Sequence, residues 1–370
     1  MKDNFKIITD EKEMATVFNK YFGSVYTKEK LEQMPKPRKG FVGDNETMVS
    51  NIHCSEELIV ELLAKLKTDK SPGLDNLHPK FLFEVREEIG KCLALIFNES
   101  LRTGEVPRDW RDALVTPLFK KGSRNDPGNY RPVSLTCILG KVLEKIVKEK
   151  VSSHLSEYKI ITESQHGFTK GRSCLTNLLD FLEEVYQKLD EGKAVDIIYL
   201  DFAKAFDKVP HSRLLVKLEA CGITGNVLRW IKNWLTGRRQ KVGIRGSYSS
   251  WIDVISGVPQ GSVLGPLLFL IYINDIDEGV ISKISKFADD TKLCSMVEDK
   301  KGSEILQKDL KTLFQWSEDW QMLFNIEKCS VMHTGKQNKD YKYEMGGKIL
   351  KTIDEEKDLG VITNKSLKTC

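Results

Sequence analysis

The sequence predicts an α+β fold, because helical and strand patterns alternate along the chain while several strands are joined as hairpins. Residues 195–200 form an apolar, β-branched run without alternation, which is typical of a strand covered on both faces. Hairpins are predicted across residues 240–254 and at a turn that carries Asp289 and Asp290. Hairpins among the helices favour an α+β domain over a doubly wound parallel sheet.

Helix boundaries follow from capping residues and apolar spacing. Ser55, followed by two glutamates, predicts a helix to about Lys67. Pro79 predicts the first turn of another helix, which runs to about Arg102. Further helices are predicted over 139–156, 173–190, 210–221, 225–236, 262–276 and 302–324, and an extended segment over 113–119.

The first 50 residues show no core of their own. They combine charged residues, two prolines and one aromatic, helix-like piece over residues 18–26. We interpret this segment as a linker or the tail of something removed, and we expect a mixed, partly helical N-terminal extension.

Positive charge is concentrated in one part of the chain. The net charge of the 370 residues is only +4, but residues 101–172 carry 14 basic and 8 acidic residues, a net of +6. A local positive field suits a polyanion such as nucleic acid. A charge-rich helix face in solvent has the same composition, so charge alone does not choose between them.

The cysteines and the apolar runs bear on location. The eight cysteines are scattered without a zinc-binding or CxxC spacing, which is typical of reduced thiols in the nucleus or cytoplasm. The N-terminus lacks the apolar run of a signal peptide. The longest apolar run, residues 263–273, is well short of the roughly 20 residues that span a bilayer, so we expect no membrane segment.

Asp289 and Asp290 are adjacent carboxylates at a bend that follows residues 281–286, a run that alternates like a half-buried strand. Mg²⁺ neutralises such a pair, since it takes one or two protein carboxylates together with water and phosphate oxygens. On its own, an Asp-Asp turn is more often a solvated hairpin connection. Asp201 follows the buried strand, so a sheet that pairs strand and hairpin would supply ligands for two Mg²⁺ ions about 4 Å apart. Asp201 is also a plausible helix N-cap.

Residues 256–262 place two glycines and a proline around Gln260, ahead of a helix that Ser262 can cap. Such a loop lets a backbone approach a substrate closely. An ordinary junction between a loop and a helix has the same composition.

Together these motifs resemble the reverse transcriptases of non-LTR (LINE) retrotransposons, nearest to the jockey and chicken-repeat groups. Five motifs occur in the family's order, and the likeness covers residues 55–365. They are NYRPVSL at 129–135, QHGFTKGRS at 165–173, YLDFAKAFDKV at 199–209, GVPQGSVLGP at 257–266 and FADD at 287–290.

The resemblance implies a right-hand polymerase fold and an RNA-directed DNA polymerase that adds dNTPs to a primer 3′-OH on an RNA template. No protein partner is implied. The implied boundaries are an N-terminal extension over 1–54, a helical region over 55–100 and a reverse transcriptase domain over 101–362, with fingers over 101–194, a palm over 195–335 and the start of a truncated thumb over 336–370.

The resemblance also implies metal ligands. Asp201 and Asp289 match the principal ligands of two Mg²⁺ ions, with Mn²⁺ as an alternative, and Asp290 lies beside them. The main-chain carbonyl of Phe202 is a further implied ligand. Lys328 matches a lysine that could protonate the leaving pyrophosphate, although a lysine at such a position is more often simply solvated.

Nucleotide contacts are implied for a second group of residues. Gln260 matches the glutamine that contacts the incoming nucleotide, and Phe206 matches an aromatic gate against a ribose 2′-OH or else a core phenylalanine. The basic residues match a clamp on the triphosphate or on template phosphates. They are Arg172 and, as weaker candidates, Lys120, Lys121, Arg131 and Lys170.

Two departures from the family pattern leave an alternative open. Thr169 stands where relatives often carry arginine, and the chain ends at Cys370 within the expected thumb. The chain also lacks the family's upstream endonuclease. The alternative is a catalytically idle, nucleic-acid-binding remnant, whereas an unrelated metal hydrolase would need more histidines or carboxylates near the Asp pair.

Overall fold

A computed structural model describes residues 2–3 and 6–367, and the chain divides into two compact units. Unit 1 contains the residues up to 160 together with 206–272, and unit 2 contains 161–205 together with the residues from 273 onward. Each unit combines helices with a five-stranded sheet, so the predicted α+β class is confirmed.

The described residues form helices and strands with the following bounds. The helices are α1 (Glu11–Ser24), α2 (Glu56–Ala64), α3 (Pro79–Glu84), α4 (Arg86–Thr103), α5 (Arg108–Arg111), α6 (Ile138–Glu157), α7 (Cys174–Asp190), α8 (Ala205–Lys208), α9 (His211–Ala220), α10 (Gly225–Leu235), α11 (Gly265–Tyr272) and α12 (Lys300–Asp319). The strands are β1 (Lys2–Asp3), β2 (Lys6–Ile7), β3 (Ala113–Phe119), β4 (Tyr130–Leu135), β5 (Val195–Leu200), β6 (Arg238–Ile244), β7 (Ser247–Tyr248), β8 (Ile252–Val254), β9 (Lys283–Phe287), β10 (Asp290–Met296), β11 (Ser330–Thr334), β12 (Glu344–Met345), β13 (Lys348–Ile349), β14 (Lys351–Thr352), β15 (Glu355–Asp358) and β16 (Val361–Asn364).

The sheet of unit 1 is built around β3 and β6. Its strand order is β4-β3-β6-β7, and β8 also pairs with β6. β3 is antiparallel to β4 and parallel to β6. α1 packs on this sheet and forms one apolar cluster with it, whose buried members are Ala15, Phe18, Phe22, Val115 and Val242.

The N-terminal segment is part of unit 1, which corrects its interpretation as a linker. The Asn19 amide is buried and donates to the Ser249 hydroxyl at 2.9 Å, and it accepts from Gln240 Nε2 at 3.0 Å. The Glu29 carboxylate accepts from the backbone N–H of Arg213 at 2.9 Å and so caps the first turn of α9. The segment shows no core of its own because its apolar side chains complete the core of the sheet.

Most predicted helices are confirmed, although several end earlier than expected. Ser55 caps α2 by accepting from Leu58 N at 3.2 Å. The single helix predicted from Pro79 is wrong, since α3 and α4 are separated at Val85. The Arg86 guanidinium donates to the Phe83 carbonyl at 2.7 Å there, which satisfies one of the last carbonyls of α3.

The sheet of unit 2 has the order β14-β11-β5-β10-β9, with β5 at its centre. β5 pairs antiparallel with both β10 and β11. Val195, Ile197 and Ile198 are fully buried, so the prediction of a strand covered on both faces is confirmed. Phe181 and Val185 of α7 pack on this strand.

A buried polar network joins β5 to β11 and to the segment that follows it. The Asp196 carboxylate is fully buried and accepts from His333 Nδ1 at 2.7 Å, Asn338 Nδ2 at 2.8 Å and the Tyr343 hydroxyl at 2.6 Å. Burial opposes the charged imidazole, but the bond to Asp196 and the charge of Asp340 prevail and raise the pKa of His333.

No helix among the described residues is long and apolar enough to cross a membrane. Seven cysteines lie in the described part of the chain, and all are free thiols. Cys370, at which the expected thumb is cut short, lies outside the described residues.

Phe18→Ala tests whether α1 is part of the core of unit 1. Phe18 is buried and stacks on Phe22, so its truncation is expected to lower the free energy of unfolding by about 3–5 kcal/mol. Phe81→Ala is the matched control, because Phe81 is 55% exposed and its loss should cost about 1 kcal/mol or less. Urea denaturation measures both values. Equal losses in the two variants would contradict the packing role of α1.

His333→Gln tests the charged pair with Asp196. Because the folded pKa of His333 lies above its ordinary value of 6.5, the added stability is fully present below that pH and is lost as the pH rises through the folded pKa. The wild type should therefore exceed the variant in free energy of unfolding most at low pH. His53→Gln, at an exposed histidine outside this network, is the matched control for replacing a histidine with glutamine. A constant difference across the pH range would rule out the charged pair.

Candidate active site

The antiparallel pairing of β5 with β10 brings two of the predicted carboxylates to the same end of the sheet in unit 2. Leu200, the last residue of β5, pairs with Thr291. Asp201 directly follows Leu200 and Asp290 directly precedes Thr291, so the antiparallel register sets the two aspartates across from each other. Ala288 and Asp289 form the two-residue turn that joins β9 to β10, and Asp289 directly precedes Asp290.

Asp201 is held by contacts at both its backbone and its side chain. Its carbonyl accepts from Asn325 N at 2.7 Å, and its carboxylate accepts from Lys328 Nζ at 3.1 Å. The side chains of Asp201 and Lys328 are 35% and 60% exposed. Solvent screens such a pair, which therefore adds little stability and leaves the carboxylate able to exchange one cation for another.

Phe202 is fixed by its ring. The side chain is buried and stacks on Phe324 with a centroid distance of 4.4 Å, and the two residues also form an isolated antiparallel bridge. The ring is therefore part of the core, which leaves the main-chain carbonyl as the group to which the predicted ligand role applies.

The Asp289 turn is braced by the predicted QHGF motif. Gln165 Oε1 accepts from Ala288 N at 3.0 Å and from Gly167 N at 2.7 Å. The backbone of His166 donates to the carbonyl of Lys286 at 2.9 Å. The motif thus contacts the carboxylate-bearing hairpin directly, within unit 2.

The strand before the turn differs from its predicted half-buried pattern. Ser285 and Lys286 are buried, whereas alternation predicted that the polar residues face solvent. Lys286 Nζ donates to Asp277 Oδ2 at 3.0 Å, to Thr162 Oγ1 at 3.1 Å and to the carbonyl of Asn274 at 3.2 Å. Partners distant in sequence therefore satisfy a lysine that a local pattern assigns to the surface. Burial alone would raise the pKa of Asp277, but the Lys286 charge lowers it.

Arg172 lies in the same motif region but points to its own loop. Its guanidinium donates to the carbonyl of Gln165 at 3.4 Å and to that of Glu163. Lys170 is exposed and Thr169 is half-buried. In this conformation Arg172 is partly engaged in holding the loop rather than free for a phosphate.

In unit 1 Gln260 lines a cavity with Asp207, Tyr26 and Arg238. Its Nε2 donates to Asp207 Oδ1 at 3.0 Å, and its carbonyl accepts from Ser134 N at 2.7 Å. The buried guanidinium of Arg238 has its pKa lowered to about 10, chiefly by burial.

The glycines of this loop serve close backbone contacts within the protein. A Cβ on Gly261, whose φ is +113°, would lie 2.6 Å from the Ser134 carbonyl oxygen. A Cβ on Gly257 would lie 2.7 Å from the Asp207 carbonyl oxygen. The close approach that the motif predicts is therefore made by the chain's own backbone. Ser262 accepts from Gly265 N at 3.0 Å, as the predicted cap requires.

Glu144 anchors the end of the Gln260 loop, and sequence reasoning missed it. The carboxylate is 1% exposed and accepts from Val263 N at 2.7 Å and Leu264 N at 3.1 Å, ahead of α11. Trp234 Nε1 donates to its other oxygen at 3.2 Å. Burial raises the pKa of Glu144, although these donors oppose the rise. The signal was a lone glutamate on the apolar side of a predicted helix, which the sequence does not connect to residues 119 positions away.

The remaining predicted nucleotide contacts are also in unit 1. Phe206 is half-buried and stacks on Phe269 with a centroid distance of 4.5 Å. Three basic candidates are exposed on or beside the hairpin of β3 and β4, namely Lys120, Lys121 and Arg131. Their roles remain predictions.

The candidate metal ligands at the β5–β10 end are carboxylate oxygens, which suit a hard cation. One of these carboxylates, that of Asp201, already accepts a hydrogen bond from the Lys328 ammonium group. Among the residues whose side chains the structure describes, no three His, Cys, Asp or Glu side chains are grouped to hold a metal ion. Mg²⁺ does not require such a cage, since it is commonly held by one or two carboxylates with water and substrate phosphates. Asp201 and the Asp289 turn therefore fit Mg²⁺ as partial ligands.

The family model for reverse transcriptase (RNA-dependent DNA polymerase) matches residues 119–357, a range that includes the carboxylates, the Gln165 motif and the Gln260 loop. The chain belongs to the reverse transcriptase family. The predicted resemblance to non-LTR, LINE-type enzymes related to jockey is confirmed by the relatives described next.

Two of the curated relatives come from mobile elements of Drosophila. The chain is 30% identical over 330 residues to the probable RNA-directed DNA polymerase from transposon BS of Drosophila melanogaster, covering 84% of this chain and 36% of the relative. It is 31% identical over 326 residues to the RNA-directed DNA polymerase from mobile element jockey of Drosophila funebris, covering 84% and 35%. This reverse transcriptase chain therefore spans about a third of the length of the curated relatives it matches.

Glu144→Ala tests the anchor of the Gln260 loop. The variant leaves three N–H donors, two of them buried, without their acceptor, so the free energy of unfolding should fall by about 3–5 kcal/mol, and the amides of Val263 and Leu264 should exchange faster with solvent. Glu149→Ala, at an exposed position of the same helix, should cost less than about 0.5 kcal/mol. Denaturation and amide hydrogen exchange measure these effects. Similar losses in both variants would refute the anchor.

Proposed function

We propose that this reverse transcriptase chain is the polymerase core of a LINE-type mobile element. It extends a DNA primer by adding dNTPs to the 3′-OH on an RNA template. The observation that carries the proposal is the β5–β10 register, which sets Asp201 across from Asp290 beside the Asp289 turn. The named relatives from transposon BS and jockey support the same activity.

The proposal also includes the division of the chain into fingers, palm and thumb. The fold is a right hand, with fingers over 101–194, a palm over 195–335 and the start of a thumb over 336–370. The palm assignment is supported by β5, β10 and β11, which form the centre of one sheet and carry or adjoin the candidate ligands.

Asp201, Asp289 and the Phe202 carbonyl would hold two Mg²⁺ ions, with Asp290 beside them, and Mn²⁺ suits the same oxygen donors. When bound, such ions lower the pKa of the attacking hydroxyl and stabilise the leaving oxygen. Lys328 is bonded to Asp201, so its exposed ammonium lies beside the candidate ligands. We assign it the protonation of the leaving pyrophosphate.

Gln260 is assigned a contact with the incoming nucleotide, and Phe206 is assigned the role of its steric gate. The basic side chains of Arg172, Lys120, Lys121, Arg131 and Lys170 contact the triphosphate or the template phosphates, because guanidinium and ammonium groups pair with phosphate oxygens. The exposed hairpin that carries the lysines supports the template role. The proposed partners are an RNA template, a DNA primer and dNTPs, and the proposed compartment is the nucleus or cytoplasm.

Primer extension with purified protein, an RNA template, dNTPs and Mg²⁺ or Mn²⁺ tests the activity. Asp289→Ala should lower the extension rate at least about 100-fold, because it removes a carboxylate that would hold the metal ions, which stabilise charge at the reacting phosphate. Asp354→Asn is the control, since Asp354 is an exposed aspartate whose carboxylate pairs with Lys365, and its rate should be unchanged. RNA binding by the wild type without any extension would instead support the idle remnant.

A further inference from the structure

We propose that Gln165 is a positioning residue that holds the Asp289 turn in its working conformation. The inference rests on the proposed polymerase function for its kinetic consequence. The structural part of the inference concerns only the contact between Gln165 and the turn, and both lie in unit 2.

The turn contains a backbone conformation that its sequence does not favour. Ala288, the first of the two residues between β9 and β10, has a φ of +54°. Glycine adopts this region without strain, whereas a residue with a Cβ does so at a cost. A strained residue keeps such a conformation only where its surroundings hold it there. Asp289 is the next residue, so the conformation of Ala288 directs its carboxylate.

Gln165 supplies the contact that holds Ala288. Its side chain is 1% exposed, and Oε1 accepts from Ala288 N at 3.0 Å. The same oxygen accepts from Gly167 N at 2.7 Å, which fixes the direction of the carboxamide. Its Nε2 is buried without a hydrogen-bond partner, so the amide tolerates an unsatisfied donor in order to present its oxygen to the turn.

Gly167 allows the two segments to come this close. A Cβ at residue 167 would lie 2.3 Å from Ala288 N and 2.9 Å from the Phe287 carbonyl carbon. Only glycine therefore fits against the turn. Two residues before Ala288, the backbone of Lys286 hydrogen-bonds to the backbones of Ser164 and His166. These bonds hold the hairpin and the motif in register. The QHGF motif thus acts on the catalytic turn, in addition to any contact that its basic residues make with phosphates.

Gln165→Met is the most direct variant, because methionine approximates the shape of glutamine but accepts no comparable hydrogen bond. Without the acceptor Ala288 can leave its left-handed conformation, and Asp289 then moves. Misplacement of a catalytic group by about 1 Å can reduce turnover about 100-fold. We expect kcat for primer extension to fall between about 10- and 100-fold, while KM for dNTP changes less than about twofold.

Asn177→Ala is the matched control for loss of stability. Asn177 is also a carboxamide of 1% exposure with one unpartnered atom, and its Nδ2 bonds the Ser285 hydroxyl at 2.8 Å and the Lys286 carbonyl at 3.0 Å. It therefore braces the same strand without touching the turn. Its stability should fall like that of Gln165→Met, whereas its kcat should stay close to the wild-type value.

Ala288→Gly provides a second, independent test by suppression. Glycine takes the positive φ without a brace, so adding Ala288→Gly to Gln165→Met should restore most of the lost kcat. A general loss of packing around residue 165 would not be repaired by removing a methyl group at residue 288. Failure of the suppressor would therefore overturn the positioning role.

Amide hydrogen exchange separates this inference from the proposed function. In the positioning model the amides of Ala288 and Gly167 exchange faster in Gln165→Met than in the wild type or in Asn177→Ala. If the wild type extends no primer but this exchange pattern is found, the brace stands and the polymerase proposal fails. If the wild type extends primers and Gln165→Met retains its kcat, or Asn177→Ala loses as much, the polymerase proposal stands and the brace fails.

Discussion

The antiparallel pairing of β5 with β10 is the constraint on which the candidate active site depends. A slip of one residue in this pairing would move Asp201 away from Asp290 and turn the side chains of one strand to the opposite face. β5 is buried on both faces, so such a slip would disrupt the packing of its apolar residues and separate Asp196 from its buried partners, and it is strongly opposed. β11 adds a second restraint by pairing with the other edge of β5. The burial that stabilises the sheet therefore also sets the positions of the carboxylates.

Buried polar groups fix the segments that apolar packing leaves undetermined. Asp196 ties β11 and its following segment to β5, Lys286 ties β9 to Asp277, and Glu144 ties the Gln260 loop to α6. Hydrogen bonds are directional, and an unpaired polar group in the interior is costly, so each of these residues permits one arrangement of its partners. Their effect is on which conformation forms more than on total stability, because desolvation offsets much of the attraction.

The sequence predicted what short patterns encode. Helix caps such as Ser55, the buried run of β5 and the order of the family motifs depend on neighbouring residues, and they identified the α+β class and the family. It failed where partners are far apart in the chain. Alternation assigned Lys286 to solvent, because the sequence does not reveal that Asp277 and Thr162 surround it. The N-terminal residues looked like a linker because the sheet that α1 completes begins about 90 residues later, at Ala113.

The same limit applied to the candidate site. Motif matching selected Asp201, Asp289 and Gln260, but it gave no role to Glu144 and assigned Arg172 to phosphate without showing that its guanidinium bonds the carbonyl of Gln165. Arg172 and Gln165 illustrate how one motif can combine two tasks. The oxygen of Gln165 is committed to backbone donors inside the protein, whereas Arg172 donates to the carbonyl oxygens of Glu163 and Gln165, which a phosphate can replace with a stronger, charge-assisted bond. Ordering by the buried Gln165 and exchange by the half-buried Arg172 are compatible because they use different atoms of the same loop.

The ion pair at the candidate site differs from the ion pair that holds β9 in its exposure to solvent. Lys286 is fully buried and keeps Asp277, which is 14% exposed, as its partner, while the Asp201–Lys328 pair is more exposed and weakened by water. A carboxylate that must accept a cation in each catalytic cycle cannot be committed to a buried lysine, because breaking such a pair leaves an uncompensated charge. A screened lysine satisfies the carboxylate between cycles and gives it up at small cost. The division between buried and exposed ion pairs therefore matches the division between residues that build the sheet and the residues proposed to do chemistry on it.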